Sequence, residues 1–195
     1  MQELASWRGR DVLDVGCGTG FHLPLFARTA RTVVGVEPHP DLVAVARRRT
    51  HRLRGVHVLS GSAADLPLPD RSVDVVHARW AYFFGPGCEP GLRELDRVVR
   101  PGGRALVIDN DPTRSTFGSW FSRGHPDVDP RRVQAFWLGQ GWEEHCVETA
   151  WTFDSRADLE AVVRIELPSR LAEEVLAQHA GTTVDYAVTV WTRSF

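Results

Sequence analysis

The sequence contains no lysine; all 23 strong bases are arginine, a pattern we read first as codon bias. With 25 acidic residues the net charge is −2, so no general basic field is available to hold a nucleic-acid backbone. Cysteine is scarce and odd in number, at Cys17, Cys88 and Cys146, with no Cys-x-x-Cys. That argues against a disulfide framework or a zinc site and for a reducing, cytoplasmic setting, and no metal is expected, since Asp109-Asn-Asp111 has no partner His or Glu motif. No apolar run is long enough to span a membrane, and Met1–Trp7 lacks a signal-peptide core. What precedes the first strand is at most a short helix over residues 2–7. At 195 residues and 43% hydrophobic, the chain is expected to form one domain over 1–195.

What is present is organised around Asp11-Val-Leu-Asp-Val-Gly-Cys-Gly-Thr-Gly-Phe21. Val12, Leu13 and Val15 predict a buried strand. Gly16, Gly18 and Gly20 predict a sharp turn that a ligand can approach closely, and Phe21–Arg28 a helix whose first N–H groups face that turn. The spacing is Gly-x-Gly-x-Gly, and Phe21 stands where a dinucleotide loop needs its third glycine, which counts against a nicotinamide oxidoreductase.

Thr32–Glu37 predicts a second strand ending in an acid, 17 positions after Gly20. An acid there can accept from ribose hydroxyls, because neighbouring parallel strands end at one crevice. Asp41 is expected to cap a helix to about Leu53, with Arg47, Arg48 and Arg49 on a solvated face. Gly55–Ser60 and Val73–Val76 are further strands. The second leads into His77-Ala-Arg-Trp-Ala-Tyr-Phe-Phe84, where Trp80, Tyr82, Phe83 and Phe84 form either an aromatic substrate wall or core. Arg79 is either an anchor for a substrate carboxylate or a surface residue. Glu89–Val99 predicts a helix, Arg100–Gly103 a sharp stop, and Arg104–Asp109 a fifth strand. Phe117, Trp120 and Phe121 read as a loop over the site. Pro130 begins a helix, Trp142–Phe153 is a sixth strand, and Val184–Arg193 a last strand near an edge. Two helices, at about 155–180, are inserted between these last strands, the first capped by Asp154 or Ser155. We expect them to cover the substrate side or to form a homodimer contact.

The glycine motif, Glu37, the segment Gly61–Val76 and the run Leu95–Gly103 together resemble the class I S-adenosylmethionine (SAM) methyltransferases of the small-molecule, type 11 branch, over roughly residues 10–110. The resemblance implies an α/β, Rossmann-like, doubly wound sheet of seven strands, mostly parallel with the last antiparallel, and helices on both faces. It implies SAM as cofactor, S-adenosylhomocysteine (SAH) as product, and cofactor contacts at Asp14, Gly16, Cys17, Gly18, Thr19, Gly20, Glu37, Pro38, Ser62, Ala63, Asp65, Ala78 and Arg79. Many members carry an aspartate where Ser62 stands; a hydroxyl still accepts a hydrogen bond, and Asp65 either takes the acidic role or is a loop acid.

The activity implied is direct in-line transfer of a methyl group to a small molecule, apolar or aromatic in view of the aromatic run, without nucleic acid or membrane as partner. A base is needed only for an acceptor that must lose a proton; the candidates are Tyr82, His22, Asp109 and Asp111. The alternatives are a non-catalytic SAM- or SAH-binding protein or partner subunit, and less favoured, a nicotinamide-dependent oxidoreductase.

Overall fold

In the computed structural model, which describes residues 4–82 and 85–195, strand β1 (Asp11–Val15) lies at the heart of the sheet. Val12, Leu13 and Val15 are at most 1% exposed, because the strand has neighbours on both sides and is covered on both faces. It pairs in parallel with β2 (Thr32–Glu37) and with β4 (Val73–Arg79). β3 (Val56–Ser60) continues the sheet beyond β2, and β5 (Val99–Asn110) beyond β4.

Two more strands, β6 (Glu143–Thr152) and β7 (Thr183–Ser194), complete the order β3-β2-β1-β4-β5-β7-β6. β7 runs antiparallel to β5: the Gly102 amide donates to Phe195 O, and the Asp111 amide to Ala187 O. This is the Rossmann-like seven-stranded α/β sheet that the sequence predicts. Strand order reverses between β1 and β4, so the crevice outside their carboxyl ends is where such sheets take ligands.

The helices are α1 (Leu23–Ala27), α2 (Pro40–Thr50), α3 (Glu89–Val98), α4 (Ser115–Gly124), α5 (Pro130–Gly139), α6 (Arg156–Glu166) and α7 (Ser169–Gln178). α6 and α7 follow one another between β6 and β7. The chain divides into two compact units. In the first (residues 1–109, 136–144 and 190–195), Leu13, Leu23, Phe26, Leu95 and Leu106 are buried, and Trp137 stacks on Trp191 at 5.8 Å and meets Trp142 edge-on at 5.0 Å. In the second (residues 110–135 and 145–189), Phe117 lies 4.4 Å from Trp151 and 5.5 Å from Tyr186, and α6 and α7 pack together through buried Leu159, Val163, Ala172 and Val175.

Three expectations are corrected. Phe117, Trp120 and Phe121 lie on helix α4, not in a loop; their 0, 3, 4 spacing is one helical face, and all three are buried. β7 lies inside the sheet and β6 is the edge strand; Val184 and residues 186–192 of β7 are buried. Helix α2 starts at Pro40 with His39 as N-cap, so Asp41 sits in its first turn, where the helix dipole favours an acid. Arg47, Arg48 and Arg49 are exposed, as expected, and the first and last of them also reach Val58 O and Thr19. The cap of α6 is Ser155, whose hydroxyl accepts from the Asp158 amide. Phe83 and Phe84 lie outside the described residues.

Candidate functional site

The loop after β1 is fixed by its glycines. Gly16, Gly18 and Gly20 all have positive φ, at +67°, +54° and +73°. A Cβ on Gly16 would sit 2.9 Å from the Ala81 Cβ, and one on Gly20 would sit 3.0 Å from the Ala46 Cβ. Those two glycines let the loop settle against β4's exit and against α2. A Cβ on Gly18 would meet nothing within 4 Å; at that position the backbone faces open space.

The loop is also tied to β2. The Gly16 and Cys17 amides both donate to Val36 O, at 2.8 and 3.1 Å. The Gly18 amide donates to Glu37 Oε2 at 2.9 Å, and the His39 amide to Oε1 at 3.0 Å. Glu37 is only 4% exposed. A carboxylate has about four acceptor positions, and these two bonds leave others for ligand hydroxyls. Pro38 follows it, exposed. Arg49 grips Thr19 through both its carbonyl and its hydroxyl, at 3.0 and 2.9 Å. Cys17 fills the space beside Gly35, and burial, with the nearby Asp14 and Glu37 charges, pushes its thiol up to about 12. It is packing, not a nucleophile.

Beyond β3, Ser62 and Asp65 exchange backbone hydrogen bonds at 3.3 and 3.1 Å, with Ala63 half-buried between them. Glu94 holds this turn by accepting from the Leu66 amide, and Arg97 donates to Leu66 O and Leu68 O.

At the carboxyl end of β4, Ala78 is fully buried opposite Val15. Arg79 follows, its guanidinium 4.0 Å from the ring of Trp80, which is 37% exposed at a φ of +55°. Tyr82 is 3% exposed, and its hydroxyl has no hydrogen-bond partner among the described residues. It lines a cavity of 360 Å³ with Ala63, Ala64, Ala81, Cys88 and Gly91. Burial drives its phenol far above the ordinary range, so it stays protonated.

Below the glycine loop, Asp14 and His77 form a buried pair, Oδ1 to Nδ1 2.7 Å. The His22 ring lies 5.2 Å from that of His77; partial burial, then the His77 and Arg79 charges, lower its basicity, with Asp14 opposing. Asp109 is 2% exposed in the first unit. Asp111 belongs to the second, where it accepts from the Thr113 amide and hydroxyl at 2.9 and 2.6 Å, and from the Cys146 thiol at 3.6 Å. Among the described residues no group of three His, Cys, Asp or Glu side chains is placed to hold a metal ion.

Sequence reasoning passed over His77 and Arg49. The signal for His77 was a polar ring in an otherwise apolar strand, matched by an equally isolated aspartate in the apolar strand β1; for Arg49 there was none.

Residues 13–107 match the family described as the methyltransferase domain. This domain belongs to the class I SAM-dependent methyltransferases. SAM is the cofactor of that family and SAH its product. A fatty-acid O-methyltransferase of Mycolicibacterium smegmatis is 38% identical over 110 residues, covering 55% of this chain and 40% of the relative. A ubiquinone/menaquinone biosynthesis C-methyltransferase of Rubrivivax gelatinosus is 36% identical over 101 residues, covering 52% and 39%. These alignments span about two fifths of the length of the relatives. The crystal structure of YcgJ from Bacillus subtilis superposes with a TM-score of 0.69 at 20% identity, over 97% of this chain and 94% of that one, a likeness of fold. The loop fits the family's cofactor: Gly18 faces open space while Gly16 and Gly20 are packed, and buried Glu37 keeps acceptor positions beside it.

Proposed function

We propose that this protein transfers the methyl group of SAM to a small-molecule acceptor with an apolar or aromatic body. The observation that carries this is Glu37: a carboxylate 4% exposed, braced by the Gly18 and His39 amides, at the end of the strand beside an open glycine turn. Burial of an acid is expensive unless it is hydrogen-bonded, and here the bracing leaves it poised for ribose hydroxyls. Backbone groups of Gly16–Gly20 would flank the amino-acid end of the cofactor, and the turn Ser62–Leu66 its adenine. The bound cofactor supplies an already activated methyl group, so the chain's contribution is placement and exclusion of water. The two relatives, a fatty-acid O-methyltransferase and a ubiquinone/menaquinone biosynthesis C-methyltransferase, support an apolar acceptor.

The test is calorimetric titration with SAH, with NAD as control, on wild type and Glu37→Ala. We expect wild type to bind SAH and not NAD. The variant should bind roughly 10–100-fold more weakly, the value of one or two hydrogen bonds to a charged acceptor. Absence of SAH binding in the wild type would overturn the reading.

A further inference from the structure

We propose that Arg79 binds a carboxylate on the methyl acceptor, so that the product is a methyl ester. This rests on the methyl-transfer reading above and names its substrate class.

Several arginines of the first unit already have partners. Arg31, Arg97, Arg100 and Arg193 pair with acids, and Arg47 and Arg49 reach carbonyl oxygens. Arg79 forms no ion pair with any described acid, and its buried Nε has no hydrogen-bond partner among the described residues. A guanidinium N–H taken out of water without an acceptor is costly, and its planar fork matches a carboxylate in shape and charge.

Its place in the chain puts Arg79 at the edge of the crevice. Arg79 ends β4 at the switch in strand order, one residue past the Ala78–Val15 pairing, and Ala81 packs against Gly16. Trp80 stacks on the guanidinium, covering one of its faces and shielding it from water. Trp80 itself is held at a φ of +55°, with its amide donating to Ile108 O at 2.9 Å. A bulky residue in the left-handed region is strained, and such strain collects where structure serves a site.

The chemistry balances without a base. A carboxylate oxygen attacks the methyl carbon and forms the new C–O bond. The C–S bond breaks with its electron pair remaining on sulfur, so the sulfonium becomes the neutral thioether of SAH. One negative and one positive charge disappear, and no proton is released. That suits a site where Tyr82 stays protonated and His22 is a weakened base. The neutral ester no longer pairs with Arg79, which aids release.

A carboxylate could also come from the amino-acid end of the cofactor, and the experiment separates the two sources. Wild type, Arg79→Gln and Arg79→Lys are incubated with SAM labelled on the methyl group and with dodecanoate or 3-phenylpropanoate, each matched by its alcohol and primary amide. Methyl esters release labelled methanol on alkaline hydrolysis. Binding of SAH, and of 5′-methylthioadenosine, which lacks the carboxylate, is measured on all three proteins. We expect ester from acids only, kcat/KM about 100-fold lower in Arg79→Gln and about 10-fold lower in Arg79→Lys, and SAH affinity within about twofold of wild type. SAH binding without ester from either acid overturns this inference alone. So does a loss of SAH affinity in Arg79→Gln with methylthioadenosine unaffected, which would give Arg79 to the cofactor. Failure of the wild type to bind SAH removes the methyl-transfer reading and this inference with it.

Discussion

Asp14 and His77 face each other across β1 and β4, in register, 2.7 Å apart and each with a side chain 4% exposed. The His77 ring also lies 5.1 Å from Phe26, so the pair closes the core beneath the glycine loop. Removing one member leaves the other's polar atoms buried without a partner. His77→Ala should cost about 3–5 kcal/mol, through that lost bond and the cavity beside Phe26. Asp14→Asn, which keeps the shape and can still accept, should cost about 1–2 kcal/mol. Urea unfolding followed by tryptophan fluorescence gives both values; a His77→Ala cost below about 1 kcal/mol would remove the pair's structural role.

Gly16 and Gly18 share a backbone conformation but not surroundings. Alanine at either position is strained by its positive φ, at about 1 kcal/mol. At Gly16 the methyl also meets Ala81 at 2.9 Å, so stability should fall by about 2–4 kcal/mol. At Gly18 the methyl enters open space, so stability should change little beyond the strain while SAH affinity falls. Thermal melts and calorimetry on the two variants should show this reversal, and equal effects on both readouts would refute it.

Glu94 gives an acid limb to stability. The Arg97 guanidinium holds its carboxyl at about 2, below its ordinary 4.5, against the opposing effect of burial and with further help from the Leu66 amide. The folded state therefore binds this proton less readily than the unfolded chain. The contribution is complete above about pH 5 and fades as pH falls towards 2. Glu94→Gln should lower the melting temperature at pH 7, flatten its fall between pH 5 and 3, and lessen its salt dependence, since the pair is partly exposed. Because Glu94 also holds the Ser62–Leu66 turn, SAH affinity should weaken over the same acid range.

The three thiols should differ in reactivity. Cys17 is buried and Cys88 half-buried, both pushed up to about 12, whereas Cys146 is exposed, though partial desolvation and the Asp111 charge raise it too. Under native conditions near pH 8 a maleimide should label Cys146 first, with Cys17 reacting only on unfolding. Peptide mass spectrometry reads the order directly; early labelling of Cys17 would mean that the glycine loop opens readily.

The nucleotide-binding half was legible because its signals are local. A glycine turn after an apolar strand, and an acid ending the next, specify their own conformations and their approximate meeting point. The second half carried its information over longer distances. The helical spacing of Phe117, Trp120 and Phe121 was present, but it spans little more than one turn, and what buries that face lies far along the chain. The place of β7 could not be read from its alternation, because interior position depends on which strand it pairs with. The Arg49 clamp on Thr19 and the stack of Arg79 on Trp80 arise from side chains meeting only after the sheet has formed.

The position of β7 between β5 and β6 has a consequence for how the protein is made. As the polypeptide leaves the ribosome, strands β1 to β5 can assemble in turn, each beside one already present. β6 emerges next and has no place to dock until some 30 further residues have been translated and β7 has slipped in ahead of it. For that interval β5 is an open sheet edge, the kind of surface that recruits stray strands. The nascent chain should therefore depend on chaperones most between the synthesis of α4 and that of β7.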